Sequence, residues 1–228
     1  MSVLHVDSIR KRYKDKIILS DVYLKCQTGE IAGVMGRNGS GKSTLFKIIF
    51  KTVSADSRFV KVDHKVLRGS AETRKEINYL PEYGFLPHHV RIRDAFELYL
   101  GRALPAGLKE DAFLLPLLQK KAVQMSVGER RYVEILLTLY SEAGFVLLDE
   151  PFKGLAPLIR DQIVHHLRLV QPGKGILISD HDAGRICEIS DSLMLLKNGF
   201  LKKLRDRAEL ITLGYLPRES KSTNQSIV

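Results

Sequence analysis

Gly36-Arg37-Asn38-Gly39-Ser40-Gly41-Lys42-Ser43-Thr44 decides the fold. A glycine, four residues, then Gly41-Lys42-Ser43 is the spacing of a phosphate-binding loop, or P-loop. The glycines let the backbone wrap an anion without Cβ clashes. Backbone N–H groups, and the N-terminus of the helix that follows, then point at the anion. In such a loop Lys42 reaches the β- and γ-phosphates and the Ser43 hydroxyl ligates Mg²⁺. The surroundings fit. Ile31-Ala32-Gly33-Val34-Met35 reads as a buried strand, and Leu45-Phe46-Lys47-Ile48-Ile49-Phe50 is apolar enough for a core helix. Lys42-Ser43 sits where a dinucleotide-binding loop lacks a phosphate lysine, which excludes that reading.

Outward from the loop, residues 3–29 are basic and strand-like, and residues 54–80 are mixed and polar. Over residues 91–118 the apolar spacing is helical: Ile92, Phe96, Leu98 and Leu100, then Phe113, Leu114 and Leu117, with Pro105 and Gly107 dividing two helical parts. Residues 127–140 read as an amphipathic helix. Phe145-Val146-Leu147-Leu148 and Gly175-Ile176-Leu177-Ile178 read as further buried strands. Strands alternating with helices predict a parallel sheet with helices on both faces. Ligands of such sheets gather at the carboxyl ends of the strands. There stand Thr44, Asp149, Glu150 and His181. Asp149 is placed to hold Mg²⁺ directly or through water, and Glu150 to polarise an attacking water as general base.

The composition sets bounds. Of 228 residues 44% are hydrophobic and 27% charged, which excludes disordered and collagen-like classes. No apolar run approaches the roughly 20 residues of a membrane helix, and residues 1–10 lack the apolar core of a secretory signal. Two cysteines, Cys26 and Cys187, indicate no disulfide framework and a reducing compartment; both read as small buried residues. The pairs His88-His89 and His165-His166 have no cysteine or carboxylate at ligand spacing and read as surface histidines. Neither an internal repeat nor a low-complexity segment is present, and residues 218–228 form a polar tail. The net charge of +10 leaves nucleic acid or an anionic membrane surface as partners. Lys202-Lys203-Leu204-Arg205-Asp206-Arg207 mixes acids with bases and has sparse aromatic interleaving, which argues against nucleic acid.

These ordered motifs resemble the nucleotide-binding subunit of ATP-binding cassette (ABC) transporters over nearly the whole chain. The resemblance implies an α/β P-loop NTPase with a RecA-like parallel-sheet core, an N-terminal antiparallel β subdomain and a helical subdomain. It implies one cassette over residues 1–217, with the helical subdomain at about 86–130. The Walker A loop is Gly36 to Thr44, with Gly36, Asn38, Gly39, Ser40, Gly41, Lys42, Ser43 and Thr44 binding nucleotide. Tyr13 falls where the family stacks an aromatic on adenine. Glu82, in Asn78-Tyr79-Leu80-Pro81-Glu82, occupies the Q-loop as a metal ligand with Ser43 and Asp149. Met125-Ser126-Val127-Gly128-Glu129-Arg130-Arg131 resembles the signature, Glu150 is the catalytic glutamate, His181 the switch histidine, and Gly154-Leu155-Ala156-Pro157-Leu158 the D-loop. Gly154 to Leu158 and Asp180-His181 are similar to the branched-chain amino acid and lipopolysaccharide-export branch.

The implied mechanism pairs two cassettes head to tail, identical or not. Each ATP, with Mg²⁺, is sandwiched between one P-loop and the partner's Ser126 and Gly128, and the alternation drives a transmembrane permease. The implied place is cytoplasmic, on the inner face of the membrane. There each exposed Lys or Arg adds about 1 kcal/mol of attraction to anionic lipid, and no nucleic acid is expected. Two alternatives stand beside it: a soluble single-cassette ATPase of the iron–sulfur assembly type, and a weakly active regulatory cassette. Three departures from the family pattern bear on activity. Glu82 replaces glutamine, so that it weakens ATP binding, is protonated, or is held away until closure. Val127 replaces a glycine, which requires helical backbone there. Ala156 replaces an aspartate.

Overall fold

The chain starts as two long strands, β1 (Val3–Tyr13) and β2 (Lys16–Gln27), then crosses into β3 (Ile31–Met35), buried at all five positions. After α1 (Lys42–Ile49), β4 (Ser57–Val62) and β5 (Lys65–Val66) return to β1 and complete an antiparallel sheet in the order β2-β1-β4-β5. Next come α2 (Ser70–Glu76), β6 (Ile77–Leu80), α3 (Ile92–Leu100), α4 (Ala106–Lys109), two short 3-10 turns and α5 (Val127–Leu139). The remainder is β7 (Phe145–Asp149), α6 (Pro157–Val170), β8 (Gly175–Ser179), α7 (Ala183–Ile189), β9 (Ser192–Lys197), β10 (Phe200–Lys203) and α8 (Arg207–Thr212). This computed structural model describes residues 1–101 and 103–215; the polar tail lies outside them.

The second sheet runs β10-β9-β3-β8-β7-β6 and is parallel except for β10. Successive side chains along a strand point to opposite faces, and the two faces meet different partners. Val146, Leu148, Ile176 and Ile178 pack with Tyr132, Val133, Leu136, Ile163 and Ile186 from α5, α6 and α7. Phe145, Leu147 and Leu177 pack with Leu45, Phe46 and Ile49 of α1 and with Leu4, Val6 and Leu24 of the antiparallel sheet. Strand–helix alternation predicts helices on both faces, and α1 does cover the second face, where the antiparallel sheet packs as well. Each fully buried Leu, Ile or Phe contributes about 2 kcal/mol of transfer free energy.

Residues 91–118 are less helical than their spacing suggests. Ile92, Phe96 and Leu100 recur every four residues and are buried, while Leu98 projects into solvent. The second part is short α4 and a 3-10 turn at Leu115–Leu117. The Asp111 side chain accepts from Phe113 N–H and Leu114 N–H at 2.8 and 2.9 Å, a turn geometry that competes with helix.

Two expectations about single residues are corrected. Cys26 is buried, and burial pushes its thiol pKa up, but Cys187 is only half-buried. His165 is exposed, whereas His166 is buried at 2%. Its Nε2 lies 2.9 Å from Asp111 Oδ2 and its Nδ1 2.8 Å from the Tyr140 hydroxyl, while the Tyr132 hydroxyl donates to Asp111 Oδ2 at 2.5 Å. Burial alone would raise the Asp111 carboxyl, but hydrogen bonds from His166, Tyr132 and two backbone N–H groups prevail and bring it down to about 2. A depressed carboxylate stabilises the fold above its unfolded pKa, and the contribution disappears as pH falls through the folded value. Asp111→Asn is therefore expected to cost about 3 kcal/mol at neutral pH. The deficit relative to wild type should shrink between the unfolded value of 3.8 and about 2, as read by urea unfolding across that range.

The antiparallel sheet also gathers an outward cluster that the sequence hides. His5 stacks edge-on against Tyr23 and Phe59 at 5.3 and 6.2 Å, and Lys25 and Lys61 stand opposite His5 in the register. Asp7 stands opposite Phe59 and interrupts the basic surface.

Candidate functional site

The carboxyl ends of β3, β6 and β7 open on a cleft of about 350 Å³, lined by residues 38–44 of the loop with Ile18, Glu82, Glu150 and Lys153. Asp180 and His181, past β8, line an adjoining cavity of about 240 Å³ that shares Lys153 with it. The loop needs its glycines at two points. A Cβ on Gly36 would stand 2.6 Å from the Leu196 carbonyl oxygen, and Gly41, which opens α1, has φ of 108°. The first turn of α1 leaves the N–H groups of Lys42, Ser43 and Thr44 without intrahelical acceptors, which is what an anion requires. Lys42 is 5% exposed and donates to Gly36 O at 2.8 Å and Arg37 O at 3.4 Å. Burial lowers its pKa, and the charges of Glu150, Asp149, Asp180 and Glu82 oppose that shift.

Asp149 ends β7 fully buried. One of its oxygens accepts from Ser179 Oγ at 2.6 Å, the other from the Tyr79 hydroxyl at 3.1 Å. Burial and the Asp149 charge push the Tyr79 pKa up, so it stays a donor. Glu150 adopts φ of 46°, a left-handed conformation uncommon for a non-glycine residue. Its N–H donates to Ser179 O at 2.8 Å, and its carbonyl accepts from Arg131 Nη2 at 3.2 Å. The strain is thus held by neighbours on β8 and α5, and it aims the side chain into the cleft. Glu150 Oε2 lies 3.6 Å from His181 Nδ1, which is also 3.4 Å from Asp180 Oδ1.

Glu82 sits just past β6, and its Oε1 accepts from Lys153 Nζ at 2.6 Å; the same ammonium is 3.9 Å from Glu150 Oε2. The three readings of Glu82 stay open; what the structure adds is that its side chain is paired with Lys153. The hydroxyl of Ser43 and the carboxylates of Glu82 and Asp149 are hard oxygen donors of the kind Mg²⁺ takes. Each Asp149 oxygen accepts one hydrogen bond and keeps a second lone pair for a metal, directly or through water.

Several residues that position this site escape a reading of the sequence. Buried Arg131 donates to Pro81 O at 2.6 Å, to Asp149 O at 2.7 Å and to Glu150 O. Glu134 Oε1 accepts from Phe85 N–H and Leu86 N–H, both at 2.9 Å. Together they fasten residues 81–86 to α5 and to the end of β7. Arg131 lies within the quoted signature stretch, which is a usable signal; Ser179, Asp180 and Lys153 carry none by themselves.

Tyr13 ends β1 half-exposed, with Lys11 Nζ 4.6 Å from its ring centroid. It lines neither the phosphate cleft nor the neighbouring one of about 480 Å³, which includes Lys16, Arg37, Lys197 and Tyr215. Ser126 and Gly128 also stand apart from the chain's own phosphate cleft. Ser126 Oγ accepts from Glu129 N–H at 3.1 Å while Glu129 Oε2 accepts from Ser126 N–H at 2.7 Å, a capping box that starts α5. Val127 is the first helical residue and 82% exposed, as its β-branched side chain requires. Ala156 precedes α6 without a side-chain cap.

A family model described as ABC transporter matches residues 19–153. The chain is 31% identical over 217 residues to the lipopolysaccharide export system ATP-binding protein LptB of Escherichia coli strain K12, with 88% of this chain and 89% of that protein covered. It is 30% identical over 215 residues to LptB of Haemophilus influenzae, with 87% and 88% covered. A solved structure described as the ATP-binding subunit of an ABC transporter superposes with a TM-score of 0.81 at 24% identity, covers 95% of both chains and shares the fold.

Proposed function

Because the chain belongs to the ABC transporter family, as an ATP-binding and ATP-hydrolysing subunit that energises a membrane transporter, we propose that its cleft works as half of a shared site completed by a second cassette. The observation that carries this reading is the convergence of the P-loop, Glu150 and His181 at the ends of adjacent parallel strands, with Glu150 and His181 3.6 Å apart. The chain's own signature stands away from that cleft, which supports supply in trans. The Ser126 hydroxyl accepts from Glu129 N–H and keeps its own proton to donate to a terminal phosphate. A Cβ on Gly128 would meet Leu155 and Ile159 only at ordinary contact, 3.6 and 3.8 Å, so none of the described residues requires glycine there, and the open space leaves room for close approach of a phosphate.

In this reading Lys42 and the first turn of α1 bind the β- and γ-phosphates, with residues 36–41 wrapping them. Tyr13 stacks on adenine. Glu150 takes a proton from the attacking water and His181 steadies the terminal phosphate. Ser43, Asp149 directly or through water, and Glu82 would hold Mg²⁺, which when bound offsets charge between the phosphates. Residues 1–217 act as one cassette, with 86–130 as its helical subdomain.

No helix of the described residues is long and apolar enough to cross a membrane. We place the protein on the inner face of the membrane, held by a permease. The groove for that partner lies between residues 82–88 and α5, about 420 Å³ in volume, with Tyr83 89% exposed beside it. The export roles of the relatives support an export system over the iron–sulfur and regulatory alternatives. After gentle detergent extraction the protein is expected to co-purify with an integral membrane protein identifiable as a transporter permease. Recovery with soluble scaffold proteins alone would overturn the assignment.

A further inference from the structure

The cleft contains an ammonium group that the catalytic reading leaves without a task. Lys153 follows the strained Glu150 by three positions and precedes Gly154, whose φ is 70°. Its Nζ donates to Glu82 across the mouth of the cleft at 2.6 Å and stands 3.9 Å from Glu150. Glu82 is the less exposed partner, 21% against 55% for Lys153. Both side chains line the same cavity as residues 38–44 of the P-loop.

The charge count there is unfavourable to a nucleotide. Four carboxylates, Glu150, Asp149, Asp180 and Glu82, act on Lys42, and a nucleoside triphosphate adds further negative charge. A bare carboxylate at Glu82 would add to the negative charge that the phosphates meet in this cleft, and like charges repel. The ion pair removes that monopole. It also ties the segment after β6 to the segment after β7, and so fixes where the carboxylate stands.

We propose that Lys153 is a positioning residue that acts through Glu82: the Glu82–Lys153 pair replaces a neutral side chain at this wall of the cleft, so that ATP meets a neutral unit in place of an unpaired carboxylate. The proposal rests on the nucleotide-site reading above.

The dependence of Lys153 on Glu82 makes a double-mutant cycle the decisive experiment. Wild type, Lys153→Ala, Glu82→Gln and the double variant are titrated calorimetrically with AMP-PNP, with Mg²⁺ and in EDTA. Lys153→Ala is expected to weaken binding by about fivefold, a size typical of partly exposed charge pairs. In EDTA, where the metal role of Glu82 is silent, Glu82→Gln should bind about as tightly as wild type, whereas with Mg²⁺ it should bind more weakly. In EDTA the double variant should also return to within about twofold of wild type, because the unpaired carboxylate is gone. Lys153→Arg should retain affinity, since it keeps the charge. Thermal melting without nucleotide should be similar for all, which separates this role from a merely structural one. An equal loss from Lys153→Ala in the wild-type and Glu82→Gln backgrounds would overturn the proposal and make Lys153 a direct phosphate contact. An unchanged affinity in Lys153→Ala would also overturn it. Failure of the wild type itself to bind AMP-PNP would overturn the nucleotide-site reading as well, so the two failures are distinguishable.

Discussion

Glu150→Gln is expected to cut ATP turnover by about 100-fold or more while ATP stays bound. Glutamine has nearly the same shape, so the backbone restraints survive: the N–H to Ser179, the carbonyl to Arg131, and the φ of 46°. What disappears is the ability to take a proton from water. The substituted amide would still face His181 and Lys153, which now lie 3.6 and 3.9 Å from Glu150 Oε2. Binding should therefore persist while chemistry stalls, and ATP should accumulate in a paired state. Steady-state phosphate release gives the rate, and size-exclusion chromatography with ATP gives the pairing. Turnover equal to wild type would remove Glu150 from the role of base.

Lys42→Ala is the second large effect, and it acts on binding. Nucleotide affinity is expected to fall by about 100-fold or more, with hydrolysis lost in parallel. In the free chain the ammonium is tethered inside its own loop by Gly36 O and Arg37 O. Nucleotide would offer phosphate oxygens in their place, an exchange of neutral acceptors for charged ones that favours binding. Alanine loses this gain and leaves the Gly36 carbonyl without its buried donor. Fluorescent-nucleotide titration measures the loss, and circular dichroism checks that α1 persists. Retained affinity would mean that the phosphates sit elsewhere.

The phosphate cleft is readable from the sequence because its parts are tied to strand ends. A buried apolar run terminates, and the polar residue just past it must emerge at the same edge of the sheet. Gly36 to Thr44, Asp149, Glu150 and His181 all obey this rule. Contacts between side chains far apart in sequence follow no such rule. Lys153 reaches Glu82 across 71 positions, and His166 reaches Asp111 across 55. Neither pair has a local spacing to betray it. His166 shares a helix with exposed His165, and only the packing of α6 on α5 decides which of the two turns inward. The antiparallel sheet over α1 follows from family resemblance, not from the strand–helix alternation, which predicts helices on both faces. At Val127 the β-branched side chain disfavours the left-handed backbone that a glycine could adopt, and the residue begins α5 in helical backbone.

The guanidinium of Arg131 spans three carbonyls, on Pro81, Asp149 and Glu150, and so belongs to two segments at once. Pulling residues 81–86 outward would part Pro81 O from a guanidinium that stays bonded to Asp149 O and Glu150 O, so the disturbance falls on the side chain that braces the strained backbone at Glu150. The groove beside α5, which Arg131 lines, and the backbone of Glu150 therefore share one bracing side chain. A permease segment seated in that groove would press directly on the clock of hydrolysis, and ATP, by locking Glu150, would stiffen the permease's foothold in return.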